Sequence, residues 1–291
     1  MKKKKIRIST VLLLVLLFVL LCVVACAGWK LYCYYAAYSK DRDLYSDLRD
    51  EVIKSEEKEN EAEETTKDYL KTTEEYLENG GKKYRKKRKR ISKSAPISVD
   101  WDELKEINED IIGWVYFTGL PQISYPVLQA DDNEYYVHRT YDLSSDISKA
   151  GCIFMDYRMA DDFSSPYSII YGHNVRDLAR LKDQTLYDEE PYFWILTPEG
   201  NYRYQIFSIF QCHRAADVFQ RSFDGWGEDF FKWQSELKLR NSMQGDVKLS
   251  EDGHVIAFST CVPNSFDRTI VCGTYVGGDD IPDPHLDEVA E

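Results

Sequence analysis

The chain has 291 residues, is 43% hydrophobic and 30% charged, and carries a formal net charge of −13 at pH 7. That length admits one domain or two and decides neither. An acidic balance disfavours nucleic acid as a partner. The amino terminus is informative first. Met1 to Arg7 holds five basic residues, and Ile8 to Ala27 is uncharged and rich in Leu and Val. About 20 apolar residues at ~1.5 Å each span the ~30 Å hydrocarbon core. A cleaved signal sequence usually has a shorter apolar region of about 7–15 residues.

Trp29, Tyr32, Tyr34, Tyr35 and Tyr38 then cluster where the chain would leave a bilayer. The pattern predicts a basic cytoplasmic tip over 1–7 and a single-pass transmembrane anchor over 8–28. The rest of the chain would be extracellular, attached to the cell membrane through this helix. "VVAC", ending at Cys26, also reads as a lipoprotein processing site, which would put a lipid anchor on the same face. Of the seven cysteines, Cys22, Cys26 and Cys33 belong to this region. Cys152, Cys212, Cys261 and Cys272 are scattered, with no C-x-x-C pair. That is neither a dense disulfide framework nor a zinc-ribbon spacing. Cys152, Cys212 and Cys272 read as small buried apolar residues, although an outside location permits a disulfide among them.

Residues 29–95 are predicted as an extracellular charged stalk. Its stretch 39–79 has 15 Asp/Glu against 7 Lys/Arg. Leu44, Leu48 and Val52 follow at helical spacing, but the stretch as a whole holds too few apolar groups for a core. It reads as a solvated helix or a partly disordered segment. Lys82 to Lys93 then carries nine basic residues and no acid. An exported chain would meet anionic lipid or wall polymer rather than nucleic acid there, and a solvated linker explains the run equally well.

From residue 96 to 277 the composition becomes that of a globular domain, and 278–291 is an acidic tail. Asp100 is placed to cap a short helix bearing Trp101, Leu104 and Ile107, with Gly113 as its end. Eight β-type runs follow: "GWVYF", "ISYPVLQ", "GCIFMDY", "YSIIYG", "PYFWILT", "YRYQIFSIFQC", "HVIAFST" and "RTIVCGTYV". Short strands separated by turn residues argue for a mainly β closed barrel or sandwich. Between the sixth and seventh runs, Phe230, Trp233 and Leu237 stand at i, i+3 and i+7, predicting an inserted amphipathic helix with Asp224 as its cap.

Three residues in this domain bear on chemistry. The apolar run before Cys261 delivers it to a loop, and the next strand begins near Arg268. Two antiparallel strands joined by that loop would place Arg268 beside Cys261 at one end of a sheet. A cysteine nucleophile acts as thiolate, and an adjacent cation favours the anion. A guanidinium fork also suits a developing oxyanion. The ordinary alternative for Arg268 is a surface ion pair with Asp267 or with acids of the stalk. Among five histidines, His254 and His285 read as exposed, and His138 and His213 as residues near strand ends. His173 closes an apolar strand at "YGHN", where glycine leaves room for close approach. It reads equally as a functional group and as an edge histidine.

"FSTC" followed by Arg268, with "YGHN" upstream, resembles the sortases, membrane-anchored cysteine transpeptidases of Gram-positive surfaces. "GWVYFTGLPQISYPVLQADDNEYYV", "SKAGCIFMDYR" and the inserted helix look like class B in particular. The resemblance implies an eight-stranded sortase β-barrel with a few helices, with His173, Cys261 and Arg268 as the catalytic trio. Asn133, Val137, Ser259 and Thr260 match positions near the class B substrate groove. It further implies cleavage of an N-P-x-T-x-type sorting motif on secreted proteins and transfer to an amine of a peptidoglycan precursor, with no metal or other cofactor. A pilin-polymerising enzyme with a lysine acceptor, or a surface binding module without turnover, are the alternatives. Phe258 and Ala257, where the family favours Leu and Thr, and a short Cys-to-Arg loop depart from the pattern.

Overall fold

A computed structural model describes residues 8–55, 94–148, 151–172, 174–245, 247–262 and 265–278. The later part of the charged stretch, the basic run, His173, His285 and almost all of the acidic tail lie outside the described residues.

The first element, α1 (Ile8–Val52), is one helix of 45 residues. Its apolar part is long and apolar enough to cross a membrane, by length and composition. Its polar end behaves differently from the expectation. Tyr45, Leu48 and Val52 lie at i, i+3 and i+7 and are 2%, 1% and 0% exposed. They pack into a core cluster with Ile97, Leu104, Tyr136 and Tyr141. The Tyr45 hydroxyl donates to the Gly151 carbonyl at 3.0 Å, and the Tyr141 hydroxyl donates to the Leu44 carbonyl at 3.3 Å. Ser148 Oγ donates to Asp41 Oδ2 at 2.8 Å. A short strand β1 (Ile53–Ser55) continues the helix and pairs antiparallel with β2 (Ile97–Val99). The reading of 39–79 as lacking a core therefore fails for its first third. A three-residue apolar stripe is too little for a core of its own, but it suffices when the opposing wall comes from residues 95–141.

Helix α2 (Trp101–Ile107) is capped by Asp100, whose carboxylate accepts from the Glu103 N–H at 3.4 Å. It ends at Asn108 rather than at Gly113. The Asn108 amide donates to the Tyr141 carbonyl at 2.7 Å and to the Tyr136 hydroxyl at 3.1 Å, which turns the chain out of the helix. Gly113 instead sits inside the next strand, where a Cβ would meet the Phe163 ring at 2.9 Å.

The eight β-type runs form eight strands: β3 (Ile111–Phe117), β4 (Ser124–Leu128), β5 (Ile153–Met155), β6 (Tyr167–Tyr171), β7 (Tyr192–Thr197), β8 (Gly200–His213), β9 (Val255–Cys261) and β10 (Asp267–Gly278). They close into one barrel in the order β10-β8-β7-β3-β4-β5-β6-β9. The β4–β5 and β6–β9 pairs are parallel and the other pairs are antiparallel. Phe117, Phe193 and Phe258 meet pairwise at ring distances of 5.0–5.1 Å, although β9 is not a neighbour of β3 or β7 in the sheet. These rings therefore fill the barrel interior, and Phe258 contributes aromatic packing there.

Between β6 and β7 lie a 3-10 segment (Asn174–Lys182) and α3 (Gln184–Glu189). Helix α4 (Glu228–Leu239) is inserted between β8 and β9, with Phe230, Trp233 and Leu237 buried as the spacing predicts. Its cap is Gly227, not Asp224, and it has no side-chain cap bond. The Trp226 indole donates to the Gly253 carbonyl at 3.2 Å, which ties the preceding turn to another loop. Asp224 is thereby left one turn too early.

Candidate active site

Cys261 is the last residue of β9 and Arg268 the second of β10. The two are direct Cα partners across the antiparallel pair, so their side chains stand on one face of the sheet. The loop between them is held by the Val262 N–H, which donates to the Asp267 carbonyl at 3.2 Å. Ser265 Oγ donates to Asp267 Oδ2 at 2.9 Å and accepts from the Asp267 N–H at 3.0 Å. The Asp267 carboxylate thus binds Ser265. Among the described residues Arg268 makes no ion pair, and its Nη1 donates to the carbonyls of Asp267 (3.0 Å) and Phe266 (3.5 Å). Among the described residues its other donors have no hydrogen-bond partner. Cys261 and Arg268 are both half-buried.

On the far side of Arg268, Cys212 of β8 is its Cα partner. The cysteines form no disulfide. Burial pushes the Cys212 thiol up to about 11 against the opposing Arg240 charge, and pushes Cys152 up to about 12. Cys272 is raised by burial too. All three are held as neutral thiols.

β6 lies on the other side of β9, with Tyr171 opposite Ser259. The Gly172 N–H donates to the Ser259 carbonyl at 3.2 Å, which continues the ladder one residue beyond β6. His173, the next residue, lies outside the described residues. Ser259 shares the face of Cys261 by strand alternation, and is 4% exposed. Thr260 shares the inward face of Phe258; it is 1% exposed, and its hydroxyl has no partner among the described residues. The structure therefore does not bring Thr260 onto the face of Cys261 and Arg268. His138 and His213 are exposed, whereas His254 is half-buried against the sequence expectation, and burial lowers its pKa.

Asn133 is half-buried in the loop after β4, and its side chain is already engaged. Its Nδ2 donates to Asp156 Oδ2 at 2.9 Å, and its Oδ1 accepts from the Tyr157 N–H at 3.1 Å. Val137 is half-buried against the core cluster that contains α1. Gly151, with φ of +60°, lies against its carbonyl, and any Cβ there would collide with that oxygen.

Sequence reasoning passed over Asp156, which is 0% exposed just beyond β5. Its carboxylate accepts from Arg158 Nε and Nη2, both at 2.8 Å, and from the Tyr171 hydroxyl at 2.9 Å, besides Asn133. Burial alone would raise its pKa, but these bonds outweigh it and hold the group below the ordinary carboxylate range. Tyr171 is raised, first by burial and then by the Asp156 charge. The available signal was Asp and Arg two apart in "MDYR", a buried ion-pair pattern at a strand end.

No family model matches the chain. Among curated proteins, it is 30% identical over 165 residues to sortase B of Listeria monocytogenes, an alignment covering 55% of this chain and 65% of that protein. It is 26% identical over 171 residues to sortase B of Staphylococcus aureus, covering 57% and 68%. The matched part of the chain thus spans just under two thirds of the first of these relatives and just over two thirds of the second. Among solved structures, it matches the Staphylococcus aureus sortase B–substrate complex with a TM-score of 0.55 and 25% identity, over 60% of this chain and 84% of that one. The closed eight-stranded mixed barrel is the sortase fold. Within that class, the chain is similar in sequence and fold to the class B sortases.

Proposed function

We propose that the chain is a membrane-anchored cysteine transpeptidase of the class B sortase type. It would cleave an N-P-x-T-x-type sorting motif near the carboxyl terminus of secreted proteins and join them to a peptidoglycan amine. The observation that carries this reading is the one-to-one register of Cys261 with Arg268 at an open strand end. A thiol and a guanidinium on one face, with donors of the guanidinium uncommitted among the described residues, suit an acyl transfer whose intermediate bears an oxyanion.

In this reading the Cys261 thiolate attacks the carbonyl carbon of the motif's Thr, and Arg268 stabilises the oxyanion that forms. The intermediate collapses, the peptide C–N bond breaks, and His173 as imidazolium gives its proton to the leaving amine. An acceptor amine then attacks the thioester, loses a proton to neutral His173, and expels the Cys261 thiolate. The connectivity supports His173 in this part: it directly follows Gly172 in the chain, and Gly172 is bonded to β9 two residues before the nucleophile. The apolar part of α1 supports anchoring in the cell membrane with the barrel outside.

A quenched N-P-x-T-x peptide tests the reading. Wild type is expected to cleave it faster when hydroxylamine is added, because the amine resolves the thioester, and Cys261→Ala is expected to be inert. Equal turnover by the alanine variant would remove Cys261 from the chemistry.

A further inference from the structure

We propose that Asp156 is a positioning residue of this site: its carboxylate fixes the Asn133 loop, the end of β6 and the 217–219 turn relative to the Cys261 strand. The inference rests on the proposed transpeptidase reading for its catalytic consequence, but its geometry stands on the described bonds alone.

Asp156 lies at the meeting point of four chain segments. Its own N–H donates to the Ile169 carbonyl at 3.0 Å, which locks it to β6. Its carbonyl accepts from Gln129 Nε2 at 3.0 Å at the end of β4. One carboxylate oxygen, Oδ2, gathers Asn133 Nδ2, the Tyr171 hydroxyl and Arg158 Nη2, while Oδ1 takes Arg158 Nε and the Arg158 N–H. Arg158 Nη2 also donates to the Phe219 carbonyl at 2.7 Å, so the charge pair reaches the 3-10 turn Asp217–Phe219. The Tyr171 ring stacks on Phe219 at 6.3 Å with planes 21° apart. Tyr171 in turn is the Cα partner of Ser259, two residues before Cys261.

A buried carboxylate carries a large desolvation cost unless it is paired and hydrogen-bonded. Here the ion pair and the shared bonds to Asn133 and Tyr171 compensate it. Loss of the charge weakens the bonds of Asn133, Tyr171 and Arg158 together, and with them the ties that join the Asn133 loop, the end of β6 and the 217–219 turn. The thiol makes no bond to any of them, so its own reactivity is independent of the hub.

The test uses the full chain. Asp156→Asn is expected to lower kcat/KM on the sorting peptide at least ten-fold, while Cys261 alkylation by iodoacetamide stays within two-fold of wild type. Hydrogen exchange in segments 131–134 and 217–220 is expected to speed up at least ten-fold. A second arm leaves Asp156 and Arg158 in place: Asn133→Ala and Tyr171→Phe make no bond to one another, yet their losses in kcat/KM are expected to be non-multiplicative because both act through Oδ2. Turnover within two-fold of wild type in Asp156→Asn, alkylation falling in step with turnover, or independent multiplicative losses in the double variant would each overturn the proposal. If wild type itself turns over no sorting peptide, the transpeptidase reading fails, and the exchange arm alone decides the hub: unchanged exchange in either segment overturns it.

Discussion

Arg268→Lys is expected to lower kcat on a sorting peptide by about 10²–10³-fold, the usual effect of removing one oxyanion donor. Lysine keeps the positive charge but replaces a planar fork of donors with a single ammonium on a flexible stem. The fork matters at this position because Nη1 is already bonded to the Asp267 and Phe266 carbonyls. That bonding holds the guanidinium in place, and in the proposed mechanism its other N–H groups meet the oxyanion. An ammonium that satisfied the same carbonyls would be drawn back toward the strand end. The measurement is kcat and KM for the two proteins with one peptide, together with their thermal unfolding. Unimpaired kcat in a folded lysine variant would reduce Arg268 to a structural residue.

Leu48→Ala is expected to destabilise the folded barrel by about 2–5 kcal/mol, the range for a buried leucine. At roughly 2–4 °C per kcal/mol for a domain of this size, the melting midpoint falls by on the order of 10 °C. Leu48 is 1% exposed between Tyr45 and Val52, and the same helix end supplies β1 to a two-stranded pair with β2. These residues belong energetically to the globular unit although they continue the apolar helix. On the proposed anchoring over 8–28, about 12 helical residues separate the membrane segment from Asp41, a rise of ~20 Å. The docked helix would then hold the barrel close to the membrane surface instead of at the end of a loose tether. Calorimetry of wild type and variant measures this, and an unchanged midpoint would mean that the helix does not pack against the barrel.

The strands were the most legible part of the chain. Their apolar runs are bounded by turn residues, and each strand's own composition is sufficient to announce it. The adjacency of Cys261 and Arg268 was legible for a related reason, since a short loop between two strands leaves little choice of register. The docking of Tyr45, Leu48 and Val52 was hidden because their partners lie far along the chain, up to 106 positions away for Tyr45 and Gly151. A charged helix with one narrow apolar stripe looks solvated until that wall is known. The helix ends at Asn108 and Gly227 were missed because tertiary bonds, from the Asn108 amide and the Trp226 indole, displaced the local capping preference. Asp156 escaped because a single acidic residue after a strand usually points to solvent. Only the closure of β4, β5 and β6 shows that it is enclosed. Thr260 was paired with Ser259 through the resemblance to the class B substrate groove, whereas strand alternation sends the two to opposite faces.

The central claim is that Cys261 carries the acyl group between donor and acceptor. Intact mass spectrometry of the protein mixed with an N-P-x-T-x peptide tests it most directly. The predicted result is a mass increase equal to the acyl fragment through Thr, mapped to Cys261, discharged by hydroxylamine and missing from Cys261→Ala. Peptide cleavage with no adduct on Cys261, or an adduct that persists in the alanine variant, would contradict it.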